Sequence, residues 1–288
     1  ASDFGEKPYS VNLPVSTTNL KSARTVSMSN QDRHIELTLE ENLGIIAINR
    51  DKKLNALSWN MMLTLKKHFE ELDLNRQIRA VILYSTSPRT FGVGADISDW
   101  GDLEPIEMWR KWTRHGHRII RSVEEMIHPV IAVVNGYVFG GSLELALAAD
   151  IRIGESGSEY GFPEALVGTI PGWLGTQKAL QLIGPSKLKN MIFTGTSIPA
   201  EEALDIGLID HLVPAGEGVD KARELTSQIA RTSPISVSLG KQIVNSLASN
   251  QPATSLESIA AGLSAQSADG NEGRDSFMQK RTPSFTGY

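Results

Sequence analysis

Gly140-Gly-Ser-Leu-Glu144-Leu-Ala-Leu-Ala-Ala-Asp150 follows the apolar run Pro129-Val-Ile-Ala-Val-Val134 and the turn Asn135-Gly136. An apolar run bounded by Pro and Asn-Gly predicts a buried strand. Beyond Gly141 the composition switches to Leu, Glu and Ala, all good helix formers. A strand, a glycine pair and a helix start leave backbone N–H groups free, and glycine lets a ligand come close to them. One turn inside this helix stands Glu144, a lone carboxylate among Leu143, Leu145, Ala146 and Leu147. Two readings compete here. One is a glycine turn with a solvated surface Glu; the other is a carboxylate placed at a ligand site.

Toward the N-terminus, residues 1–33 are rich in Ser, Thr and Asn without periodicity, and read as an extended arm. His34 to Leu39 alternates like a strand, Glu41-Asn42 makes a turn, and Leu43 to Ile48 is a second strand. A helix capped by Ser58 follows, with Trp59, Met62, Leu63, Phe69 and Leu72 on one face. Ala80 to Tyr84 is a third strand, and Thr90 to Ile97 a glycine-bearing loop. Beyond Gly101 a long helical pattern carries Leu103, Ile106, Trp109, Trp112, Ile119 and Val123 and stops at His128-Pro129.

Toward the C-terminus, Ile151 to Ile153 reads as a strand, and a hairpin-like passage leads to Tyr160–Gly172. From about Gly218 the pattern is helical, over 219–230, 235–248, 255–267 and around 275–280. Strands alternating with helices predict an α/β core over 34–216 with a largely parallel sheet. Residues 217–288 form a helical C-terminal appendage, whose apolar stripes predict a role in oligomerisation.

The chain has 288 residues, 40% of them hydrophobic and 21% charged, ordinary for a globular protein. A net charge of −5 argues against nucleic acid or an acidic membrane as the main partner. Cysteine is absent, so disulfides, thiolate catalysis and Cys-based zinc sites are excluded. No apolar run approaches the ~20 residues that span a bilayer. With no charged-then-apolar leader at its start, an intracellular, cytoplasmic location is expected by default, and an organelle is not excluded. His115 and His117 stand roughly 200° apart on a helix, the wrong spacing for a shared metal, and all six histidines read as surface or capping residues.

A constellation emerges from the spacing. In open α/β sheets, ligands sit beyond the carboxyl ends of the strands. The loops Gly92-Val-Gly-Ala95 and Gly140-Gly141 fall there, together with Glu144 and Glu164. Two converging N–H groups suit an enolate or tetrahedral oxyanion. Two carboxylates across a small gap hold a water between an acid and a base.

From His34 to Tyr288 the chain resembles the crotonase (enoyl-CoA hydratase/isomerase) superfamily. The resemblance is carried by Asn49-Arg50-Asp-Lys-Lys-Leu-Asn55-Ala-Leu57, Phe91-Gly-Val-Gly-Ala95-Asp96-Ile97 and Asn135-Gly136-Tyr-Val-Phe-Gly140-Gly141-Ser-Leu-Glu144. It continues through Phe162-Pro-Glu164-Ala-Leu-Val-Gly168-Thr-Ile-Pro-Gly172, Thr194-Gly195 to Ile209, and the tail Phe277-x-x-Lys280-Arg281-x-Pro283. It implies a spiral of repeated ββα units and acyl-thioester chemistry, with the thioester oxygen held by the N–H groups of Ala95 and Gly141. It further implies that Glu144 and Glu164 are the catalytic pair of the two-glutamate hydratase branch, within fatty acid metabolism. The implied reaction is hydration of a 2-enoyl-CoA to a 3-hydroxyacyl-CoA, with no metal or redox cofactor. Coenzyme A would pass Lys53, Leu54, Asp96 and Ile97 and meet Lys280, and the assembly would be a homotrimer or hexamer.

Two alternatives stand beside it: a double-bond isomerase using one carboxylate, and a non-catalytic RNA-binding homologue. The second wants a Lys-rich helix, whereas helix 59–73 carries only Lys66-Lys67. The chain departs from the family pattern at Asp51, where a proline is usual, and at Gly92 and Val93. It also has Leu174 where a glycine is common. Trp173 and Leu174 are therefore expected to narrow the acyl pocket.

Overall fold

The computed structural model describes residues 24–25, 33–248 and 254–288. Its strands are β1 (Arg24–Thr25), β2 (Ile35–Glu40), β3 (Leu43–Ile48), β4 (Ala80–Ser85), β5 (Thr90–Gly92), β6 (Val130–Val134), β7 (Tyr137–Phe139), β8 (Ile151–Glu155), β9 (Glu159–Gly161), β10 (Ile198–Pro199) and β11 (His211–Val213). The larger sheet runs β1-β2-β3-β4-β6-β8-β11, and the smaller β10-β9-β7-β5. From β3 to β11 the larger sheet is parallel.

Each of β4, β6 and β8 lies in the large sheet, and the strand after it (β5, β7, β9) lies in the small one. A helix closes each turn of this ββα spiral: α2 (Ile97–Trp100) to α4 (Arg114–Glu124), then α5 (Gly141–Leu147), then α6 (Gly175–Thr194). The passage between β8 and β9 is therefore not a hairpin. The two strands diverge into different sheets because Gly157, at φ +82°, turns the chain there. β5 and β7, too short to show a period of their own, had merged into the neighbouring glycine loops.

Both faces of the large sheet are buried, which explains its unbroken apolar strands. Ile46, Val81, Leu83, Val130, Ala132 and Val134 face the main core, under α1 (Trp59–Asp73) and α4. Their neighbours Ile45, Ala80, Ile82, Ile131 and Val133 face a second core, against Ala222 of α8 (Gly218–Ile229). The period of two decides which side chain goes where.

On α1 the Ser58 cap is present, and the buried face carries Met61, Met62, Leu65, Phe69 and Leu72. Leu63 is 44% exposed and does not belong to it. The helical pattern beyond Gly101 breaks into α3 (Pro105–Glu107), a π-helical turn over Met108–Thr113, and α4. The break turns Ile106 and Trp109 outward. α6, twenty residues long, had no periodic signal because its apolar residues surround it and Gly184 and Pro185 kink it.

After α7 (Ala200–Asp205), β11 and α8, three helices close the chain: α9 (Pro234–Ala248), α10 (Thr254–Gln266) and α11 (Ala268–Gln279). α11 is twice the length expected, its start hidden by Gly270 and Gly273. Lys241 of α9 reaches the His128 carbonyl (3.1 Å) and Asp150 (2.7 Å), tying this helical region to the end of β6. Of the predicted N-terminal arm, only Arg24–Thr25 and Arg33 onward are described. Arg24–Thr25 pair antiparallel with β2; the rest lies outside the described residues.

At the β6–β7 corner, Asn135 donates to the Ser87 carbonyl (2.8 Å) and its own carbonyl takes the Phe91 N–H (2.7 Å). Gly136 sits at φ +57°, where an added Cβ would overlap the Arg89 carbonyl oxygen. The nearest atoms are all backbone, of Arg89 and Thr90, and leave no room to relax. Gly136→Ala should therefore abolish soluble folded protein, or lower Tm by well over 10 °C. A circular dichroism melt close to wild type would show that the corner yields.

Candidate active site

The β7–α5 corner and the loop after β5 meet. Gly140, at φ +51°, ends β7, and Gly141 opens α5. A methyl group on Gly141 would lie 3.5 Å from the Ala95 nitrogen, so the two amides are neighbours. Neither the Ala95 nor the Gly141 N–H donates to an acceptor among the described residues. The loop is fixed from behind: Ser142 Oγ accepts the Gly94 N–H at 3.0 Å, and Gly92 leaves the space for that hydroxyl.

Asn55 stiffens the same loop. Its Nδ2 donates to Ser85 Oγ (2.7 Å) and to the carbonyls of Thr90 and Phe91, while its Oδ1 accepts the Arg50 N–H. Asp96 holds Arg50 at 2.6 Å and caps α2 through the Ser98 N–H. The Asp96 side chain is thus committed to the fold.

Glu144 is 3% exposed, which overturns the solvated-surface reading. Its Oε1 accepts the N–H groups of Trp173 and Gly175, both at 2.8 Å, and its Oε2 accepts that of Gly172 at 3.3 Å. Burial pushes its pKa up, and the three donors work against that. Gly175 is required here, since a Cβ would overlap the Glu144 side chain.

Glu164 sits in a short 3₁₀ turn, Pro163–Val167. Its Oε2 is buried without a partner. Burial, with the Glu144 charge nearby, pushes its pKa up to about 7. The two carboxyls share one cavity of about 480 Å³, along with Ala95, Gly140 and Gly141. Ile97, Trp100, Met108, Trp112, Leu166, Val167, Ile170 and Trp173 give it an apolar wall. No Lys, Arg or His is among the described residues that line it.

Trp173 is 2% exposed, its indole inserted where both Gly116 and Gly141 lack a Cβ. It continues a row of rings, with Trp112 at 5.3 Å and Trp59 5.5 Å beyond. Leu174 does not line the cavity, contrary to expectation; it packs against the core at φ +74°. That conformation costs a leucine about 1–2 kcal/mol.

Ile97 lines the cavity and is exposed. Lys53 is exposed and precedes Leu54, whose carbonyl accepts the Val93 N–H (3.2 Å). Lys280 is exposed at the end of α11 and does not line the cavity. Sequence reasoning missed Ser142, Asn55, Trp112 and Gly175, whose roles depend on contacts distant in sequence. It also misplaced the histidines: His68 and His128 are buried and His117 is half-buried.

The family model for enoyl-CoA hydratase/isomerase matches residues 38–288. A short-chain-enoyl-CoA hydratase of Clostridium acetobutylicum is 35% identical over 250 residues, covering 86% of this chain and 95% of that protein. A crotonyl-CoA hydratase of Syntrophomonas wolfei is 33% identical over 254 residues, covering 88% and 97%. The crystal structure of an enoyl-CoA hydratase from Bacillus anthracis superimposes with a TM-score of 0.82 at 30% identity, covering 89% of this chain and all of that one.

Ionised Glu164 strains the folded protein. With a folded pKa of about 7 against 4.5, the native state binds the extra proton, so stability falls as pH rises through that window. The loss above pH 7 is on the order of 3 kcal/mol. Glu164→Gln should therefore raise Tm by several degrees at pH 8.5 and by little at pH 5. An equal difference at both pH values would remove the electrostatic explanation.

Proposed function

The chain belongs to the enoyl-CoA hydratase/isomerase family, and on that premise we propose that it adds water across the double bond of a 2-enoyl-CoA thioester, and catalyses the reverse. The observation that carries this is two buried carboxyls facing two unengaged N–H groups across one cavity. The Ala95 and Gly141 amides hold the thioester oxygen as charge develops on it. Glu144, its charge held by three backbone donors, takes a proton from water, whose oxygen bonds to C3. Glu164, buried and protonated near neutral pH, gives its proton to C2. Atoms balance as one water added, and a proton exchange resets the pair. The sequence left acid and base unassigned; the contrast in their surroundings supports this assignment.

The step calls for no metal or redox cofactor. The wall around the carboxyls carries apolar side chains and no cation, which supports an apolar acyl group without a second carboxylate. Coenzyme A runs along the backbone of Lys53, Leu54, Asp96 and Ile97. Lys280 meets it from a neighbouring subunit. Among the described residues no helix is long and apolar enough to cross a membrane, and a CoA thioester substrate supports action inside the cell.

The assembly is a homotrimer or a hexamer of two trimers. Leu166, Val167, Ile170 and Phe193 are 57–75% exposed, and α9 has no fully buried side chain despite Ile235, Val237, Leu239 and Ile243. Contacts between subunits account for that apolar surface. Light scattering at micromolar concentration should give three times the chain mass or more, and a clean monomer would refute the assembly.

Glu144→Gln and Glu164→Gln should each lose about 10²–10⁴-fold in crotonyl-CoA hydration, and the double variant little more. Labelled oxygen from ¹⁸O-water should appear at the 3-hydroxyl. kcat/KM should be bell-shaped in pH, falling above about 7 as the pair loses its one proton. The profile should match in both directions, since both use the singly protonated pair. Conversion of 3-enoyl-CoA to 2-enoyl-CoA without ¹⁸O uptake, with Glu144→Gln still active, would replace hydratase by isomerase.

A further inference from the structure

His117 belongs to α4, outside the cavity, yet its Nε2 lies 3.0 Å from the Gly172 carbonyl oxygen. A carbonyl only accepts, so the imidazole donates. The same peptide unit carries the Trp173 N–H, which donates to Glu144 Oε1 at 2.8 Å. One planar amide therefore joins His117 to Glu144, accepting at one end and donating at the other. Hydrogen bonds in such a chain polarise one another. The neighbouring residue reinforces the arrangement: Gly116 on α4 receives the Trp173 indole, which fits only because no Cβ is there. The Gly172–Gly175 segment is thus gripped by α4 through its carbonyl and ring, and by α5 through its N–H groups.

We infer that His117 is a positioning residue that acts on Glu144 through the Gly172–Trp173 peptide unit. It fixes the plane of that amide, so the Trp173 N–H stays aimed at Oε1 and the carboxylate keeps its orientation toward the cavity. This rests on the proposed role of Glu144 as base. His117 touches neither substrate nor cavity, so its influence falls on the chemical step and not on binding.

The experiment compares His117→Gln with His117→Met, side chains of similar size of which only the first carries a donor near the Nε2 position. With crotonyl-CoA, the Gln variant should stay within about threefold of wild type in kcat. The Met variant should lose about tenfold in kcat with KM within twofold, a loss in the range that misaligned catalytic groups produce. In a Glu144→Gln background, His117→Met should cost less than twofold more, because the carboxylate it positions is gone. Should the Met variant fail to accumulate, His117→Asn, whose amide stops short of Nε2, makes the same comparison. Equal kcat for Gln and Met, or a full tenfold further loss in the Glu144→Gln background, would overturn the inference. Failure of Glu144→Gln itself to lose activity would instead overturn the role of Glu144.

Discussion

A buried carboxylate bound by three backbone N–H groups is the constraint on which the rest of this site depends. Glu144 lies on a helix whose every described residue is buried, where an uncompensated charge would cost several kcal/mol. The protein offsets that cost with the N–H groups of Gly172, Trp173 and Gly175, before the first turn of α6 is complete. Of these, the Gly175 N–H is one that a helix start leaves unused in any case, and the other two come from the loop before it. Meeting that requirement brings the 172–175 segment against α5 and sets Trp173 between Gly116 and Gly141. The same act forms one wall of the cavity.

Glu164 shares the burial of Glu144 but not its three donors. It has burial and a neighbouring negative charge, but its Oε2 has no donor. Burial thus raises the pKa of both side chains, and what distinguishes them is the three backbone donors on Glu144 against none on Glu164 Oε2. The polypeptide tolerates the strain because the cavity is braced elsewhere. Arg50, Asn55, Asp96 and Ser142 form a hydrogen-bonded polar frame behind the 92–96 loop. Leu174 shows how tightly the segment is held, since a left-handed leucine persists only where its surroundings dictate the backbone.

The ββα spiral explains why these pieces meet. Each turn sends one strand to each sheet, so successive glycine corners stack at the same edge. The loop after β5, the corner before α5 and the turn after β9 are consecutive members of that stack. They bring Ala95, Gly141 and Glu164 together from positions far apart in the chain.

The sequence by itself determined β2, β3, β4, β6 and β8 of the large sheet, because a period of two and unbroken apolar runs are local properties; β11, three residues long, it did not mark. It also marked Gly140-Gly141 and Glu144, since a strand, a glycine pair and a helix former are adjacent in the chain. The family blocks carried the pairing of Glu144 with Glu164 and of Ala95 with Gly141. Only the tertiary structure decided that Glu144 is buried and held by residues 172–175, because those donors lie 28 to 31 residues away. Only there does Leu174 turn from the cavity toward the core, since its direction follows from a backbone angle that composition does not reveal. The short strands β5, β7 and β9 escaped a local reading for the same reason: three residues carry no period, and their extended form comes from the neighbours they pair with.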